Sequence, residues 1–333
     1  MKSIKKHFTP IKSKRGKGSE GAPLGMGRWG YIAPELAQFA YAAITALVIL
    51  FTWTGIDNAE ALLLQRVTML SGTVALCAVF GLWPCRFIIL CRIAYMLLML
   101  SAWYPDTYEI NHQFGCLDHI FAAYEQDIFG MQPALWFSQI FNSAVVSELM
   151  YMGYVSYYLF FVVTIIYIYF RDFQQIERVS FLVFGGFFVC YVIYLFLPVT
   201  GPQYYYLAAG MEEIKRGVFP DVGLYFAHST ECVKAPGWDG GLFYNLCMMA
   251  HHAGERPTAA FPSSHVAIAT LVMIMVGRMR MWKYLLFLAV PYVFLCLSTV
   301  YIMAHYAIDA IAGLLFGAVL FFALGGIKLK KVS

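Results

Sequence analysis

Apolar residues in this chain gather into continuous runs and do not alternate with polar ones. Eight such runs fall at about 36–56, 62–83, 87–104, 150–170, 178–199, 262–277, 284–302 and 305–327. At about 16–23 residues each, they have roughly the length a helix needs to cross a bilayer core. A transmembrane barrel would show alternating stretches of about 10 residues, so the pattern predicts helices. The expected fold is all-α: a polytopic integral membrane protein with about eight transmembrane helices. The third run is the weakest candidate, because Arg92 sits inside it.

Composition supports this reading. Of 333 residues, 61% are hydrophobic and 13% charged, against about 45–50% apolar and about 25% charged in a soluble domain. An ordinary soluble enzyme is excluded, as is a disordered or collagen-like chain. Charge placement adds an orientation. Eight Lys and Arg lie within residues 1–30; with that end inside, 18 of the 23 basic residues fall on inner segments. The outer five are Arg66, Lys215, Arg216, Lys234 and Arg256. Cytoplasmic loops collect positive charge, so both termini are expected in the cytoplasm. Residues 1–30 read as a flexible basic tail that orients the chain and touches anionic lipid, with no nucleic-acid partner. No small-residue cleavage site follows the tail, so no processing is expected. Residues 31–104 form N-terminal membrane helices, 105–149 an outer segment with interfacial helices, 150–327 the main membrane domain with its outer loop 200–261, and 328–333 a basic cytoplasmic end. The short tail and compact loops fit a bacterial inner membrane with a periplasmic outer face; in a eukaryote that face would be lumenal. Oligomeric state is open.

Candidate chemistry collects on the outer side. His112, His119, His228, His251, His252 and His265 lie in or at the edge of the two outer segments, and His305 opens the last run. Pro262-Ser263-Ser264-His265 precedes an apolar run, which predicts an outward-facing helix start. Its unpaired N–H groups and the hydroxyls of Ser263 and Ser264 suit a phosphate. His305 and Asp309 are four apart, so on a helix the carboxylate can fix the imidazole tautomer. Gly313 and Gly317 continue that stripe and allow another helix close. Two imidazoles at one depth, one backed by a carboxylate, make a phosphoryl-transfer site: one attacks phosphorus, the other protonates the leaving oxygen. Cys232 and Cys247 could close a bridge within the outer loop. The set His228, His251, His252 and Glu255 lacks a zinc-protease pattern, and no metal or cofactor is expected.

These two motifs resemble those of the type 2 phosphatidic acid phosphatase superfamily, whose second motif is Pro-Ser-Gly-His-like and whose third ends in His and Asp four apart. The resemblance implies a catalytic core of six helices, with His305 as nucleophile, Asp309 orienting it, and His265 as general acid. The family's third motif usually begins Ser-Arg, where this chain has Ser298-Thr299, and its first motif is not found. Arg256-Pro257 could supply the missing cation. Asp127-Ile128-Phe129-Gly130, Pro133, Trp136-Phe137 and Leu197-Pro198-Val199-Thr200-Gly201-Pro202-Gln203-Tyr204 resemble the inositol phosphorylceramide synthase branch. Gln203 stands where an arginine is common in such proteins. Tyr204 to Tyr206 read as an interfacial aromatic belt or as a wall for a polyol.

The resemblance implies a phospholipid donor and a ceramide-like or other lipid acceptor: phosphoinositol would pass from phosphatidylinositol to ceramide. Hydrolysis of phosphatidate, a prenyl diphosphate or another lipid phosphate uses the same residues, and a transporter or structural protein uses none of them. A histidine nucleophile must be neutral, and free imidazole titrates near pH ~6.5, so activity should fall on the acid side.

Overall fold

The computed structural model describes residues 30–327 and Leu329, so the expected basic tail and most of the basic end lie outside the described residues. Every regular element among the described residues is helical. Six helices, including Phe173–Phe196 counted with its leading turn, are long and apolar enough to cross a membrane. Many of their large apolar side chains are exposed, among them Leu50, Leu64, Leu98, Leu286 and Phe322. A chain built this way is an integral membrane protein.

Among the described residues, one compact unit comprises residues 30–103, 162–188 and 324–327. It holds α1 (Ala33–Phe51), α2 (Ala59–Leu82), most of α3 (Arg86–Asn111), α7 (Thr164–Arg171) and the first half of α8 (Ile176–Phe196). Arg92, a charge inside an apolar run, is accommodated here by pairing with buried Glu35 and donating to the Gly30 carbonyl at 3.0 Å. Arg66, assigned above to an outer segment, instead lies buried on α2. It donates to Thr45 Oγ1 at 3.0 Å and to the Leu62 carbonyl at 2.7 Å.

The second unit, residues 104–161 and 189–323, carries all the candidate chemistry. The expected outer segment 105–149 contributes α4 (Asp118–Phe129) and α5 (Pro133–Ile140), followed by α6 (Ala144–Val155). The loop 200–261 carries α9 (Pro202–Ala209), α10 (Met211–Lys215) and α11 (Leu242–Gly254). Then come α12 (Ser264–Arg278), α13 (Trp282–Tyr301) and α14 (Ala307–Gly325). Gly313 and Gly317 on α14 admit α12, the Gly313 Cα facing the Ser263 carbonyl so closely that a Cβ would stand 2.8 Å from it. Asp127-Ile128-Phe129-Gly130 is a helix end: Gly130 adopts φ 69° and its N–H returns to the Gln126 carbonyl, a left-handed cap.

Two runs depart from simple spans. The run 150–170 is a helix pair, α6 and Leu159–Arg171, bent by 44° at a break that continues into a π-helical turn over Leu159–Val163. The run 262–277 is the 15-residue α12, about 22 Å long against a core of about 30 Å. Ten of its residues are buried, so it is lined by protein along most of its length.

Candidate active site

His305 sits in the short connection between α13 and α14, 4% exposed. The α13 helix closes with Ile302 N–H on the Ser298 carbonyl, and the His305 N–H then returns to the Thr299 carbonyl at 3.0 Å, folding the connection onto the helix end. Met303 takes a positive φ of 64° to make that turn. The ring is fixed at Nδ1, which lies 2.8 Å from the Ala260 carbonyl. A carbonyl can only accept, so Nδ1 carries the proton and Nε2 keeps its lone pair. Asp309 Oδ2 stands 3.7 Å from the same Nδ1 and accepts the Tyr306 N–H at 2.9 Å. Ala260 is thus the direct partner, and the Asp309 carboxyl stands behind it.

His265, on the first turn of α12, brings its ring centroid to 5.7 Å from that of His305, at 66°. Tyr154 stacks on it at 4.7 Å and Tyr157 lies at 4.2 Å, so the imidazole is walled by aromatic faces. Its Nδ1 is buried without a hydrogen-bond partner among the described residues.

The α12 start does not offer a free row of amides. Ser263 caps it through Oγ and Val266 N–H, Ser263 N–H goes to the Asp309 carbonyl at 3.2 Å, and Ser264 N–H goes to Tyr194 Oη at 3.0 Å. Tyr194 Oη in turn donates to the Pro262 carbonyl at 2.8 Å. The expectation of unpaired phosphate-binding N–H groups is corrected accordingly: three of the first four amides are satisfied by protein, and Ser263 Oγ is engaged in the cap.

Gln203 is buried, donating from Nε2 to Glu255 Oε1 at 3.0 Å, while its own N–H meets the Met303 carbonyl at 2.8 Å. Glu255 Oε2 lies 3.7 Å from His251 Nε2, and Cys232 Sγ lies 3.9 Å from the same nitrogen. Arg256, half-buried, donates to the Glu255 carbonyl at 3.0 Å and so holds its own loop. Tyr204, Tyr205 and Tyr206 are fully buried, with Tyr205 Oη on the Pro220 carbonyl and Tyr206 Oη on Gln132 Oε1. The interfacial-belt reading is therefore overturned: these rings form core, and Tyr204 faces His251 at 6.3 Å. Cys232 and Cys247 are both free.

Sequence reasoning missed the frame around His305. Asp118, completely buried, accepts from Thr200 N–H at 2.7 Å, Gly201 N–H at 2.8 Å, Cys116 Sγ at 2.8 Å and Tyr306 Oη at 3.1 Å. It thereby ties the 198–202 turn to the residue after His305. The signal was there: residues 105–149 hold six carboxylates and no Lys or Arg, so any buried ones must find backbone or hydroxyl donors. Burial also shifts His305, pushing its imidazole down to about 4, opposed by its bond to Ala260 and by the charge of Glu255.

This arrangement can supply a neutral nucleophilic nitrogen, a second imidazole close enough to handle a proton, and a site shielded from bulk water. Comparison with known proteins gives a match over residues 119–323 to the family described as the PAP2 superfamily. No curated protein and no solved structure matches the chain.

Proposed function

Because the chain belongs to the PAP2 superfamily, whose members are generally phosphatases or phosphotransferases, we propose that it transfers a phospho-headgroup between membrane lipids, phosphoinositol from phosphatidylinositol to a ceramide. The observation that carries the reading is the Nδ1–Ala260 bond, which leaves His305 Nε2 unprotonated beside His265. Nε2 attacks the donor's phosphorus; the bond to the diacylglycerol oxygen breaks, and that oxygen takes a proton from His265. The ceramide hydroxyl then attacks the phosphohistidine, the P–N bond breaks, and the hydroxyl proton passes to His265. Asp309 stabilises the positive charge that develops on the imidazole.

Transfer to an alcohol is favoured over hydrolysis by the burial of His305 and the aromatic walls of Tyr154 and Tyr157, which disfavour free water at phosphorus. Gln203 and Glu255 supply a donor and acceptors suited to headgroup hydroxyls. The outer, non-cytoplasmic side is the proposed location. The test is a lipid assay on detergent-purified protein, with phosphatidylinositol and labelled ceramide in one reaction and labelled phosphatidate in another. A ceramide phosphoinositol product that vanishes in His305→Ala, and falls about 10²–10⁴-fold in His265→Ala, is the expected result. Free phosphate from phosphatidate with ceramide untouched would make the protein a lipid phosphate phosphatase.

A further inference from the structure

Glu125 is fully buried on α4, and the transfer scheme above makes no use of it. Its Oε1 accepts the Ala307 N–H at 2.5 Å, the first amide of α14, two residues after His305 and two before Asp309. Its second oxygen, Oε2, is buried with no hydrogen-bond partner among the described residues, and the same holds for Asp309 Oδ1. Two buried carboxyls, each with an unpaired oxygen, stand at one helix start. An ionised carboxylate in such surroundings is far costlier than the neutral acid.

The groups around Glu125 do not relieve that cost. Asp309 on α14 opposes its ionisation by like charge. Tyr206 on α9 is committed to Gln132, and Asp118, two turns earlier on α4, is itself acidic. No lysine or arginine figures among the groups that shift it, and burial, helped by Asp309, pushes Glu125 up to about 8. The backbone amides of Ala307 and Ile308 pull the other way, but the carbonyl oxygen of a protonated carboxyl accepts an N–H as well.

We propose that Glu125 is a positioning residue that works as a neutral acid: protonated, it anchors the start of α14 without adding charge beside His305; ionised, it adds a negative charge that opposes the approach of an anionic phosphoryl group. The kinetic half of this rests on the proposed transfer function; the protonation state does not.

Infrared difference spectra of the full chain, recorded from neutral to alkaline pH, should show a protonated-carboxyl C=O band that titrates near pH 8 and is missing in Glu125→Gln. In the lipid assay, the wild-type rate should fall above about pH 8, whereas Glu125→Gln, which keeps the acceptor oxygen and cannot ionise, should stay within about threefold of wild type at neutral pH and lose that alkaline fall. Glu125→Ala should lose on the order of tenfold, a loss that Glu125→Gln does not share. A carboxylate band at neutral pH that is lost in Glu125→Gln, or the same alkaline fall in Glu125→Gln, would overturn the inference. Should the wild type act on no lipid phosphate, the proposed function fails while the infrared arm still decides the charge of Glu125.

Discussion

Ala260 decides which nitrogen of His305 can react, and it does so with a backbone carbonyl that any residue type could have supplied. That is why residue identity pointed to His305, Asp309 and His265 as candidates but not to the group in direct contact with the ring: a carbonyl leaves no trace in residue identity. Burial has a similar invisibility, and it changes an expectation. A free imidazole nucleophile would lose activity below about pH 6.5, but with His305 pushed down to about 4 its imidazole stays neutral well into acid. The rate should therefore be level in its acid limb from about pH 7 to pH 5 and fall only towards pH 4; a half-maximal point near 6.5 in a pH–rate profile would contradict the buried geometry. The linkage runs the same way. The unfolded chain binds this proton near pH ~6.5 and the folded chain only near about 4, so the stability tied to a neutral His305 is complete above ~6.5 and is lost as pH falls through that window.

Elements place these residues through a few polar clamps. Tyr194 on α8 holds both sides of the turn into α12, donating to Pro262 and accepting from Ser264, and so sets where His265 begins its helix. Tyr194→Phe removes both bonds and leaves a buried carbonyl and amide short of partners, a loss of about 1–3 kcal/mol. A lower melting temperature of the purified variant, with weakened transfer, is the expected outcome; unchanged melting would mean that water replaces the hydroxyl. Gly201 shows the same dependence on fit, since its φ of 92° and its contact with the Ala304 carbonyl leave no room for a Cβ. At this scale the apolar runs were legible because helix length and hydropathy are local properties. The bend between Val155 and Leu159 was not, because Ser156-Tyr157-Tyr158 carries neither proline nor glycine to mark a break. Nor was the burial of Tyr204 to Tyr206, which follows from α4 and α5 packing over α9 with Gln132 as a partner.

For the whole molecule, the open question of orientation turns on α12. The six long helices and the bent pair make seven crossings, which would leave the two ends of the chain on opposite sides. Eight crossings, and ends on one side, require the 15-residue α12 to cross as well. Its length of about 22 Å would be a poor match to lipid. A helix enclosed by protein need not span the hydrocarbon by itself, because its ends meet protein polar groups instead of acyl chains. The α12 start has such groups in Tyr194, Ser263 and the Asp309 carbonyl. Charge favours the same answer: with Arg66 on α2 and Arg92 on α3 both taken out of the count, the expected topology keeps four basic residues outside against 17 inside. Reporter tags fused to each end should therefore both report the cytoplasmic compartment. Tags reporting opposite compartments would make α12 a re-entrant helix that returns to the side it entered from, and would put the His265 end of the site on a hairpin in place of a span.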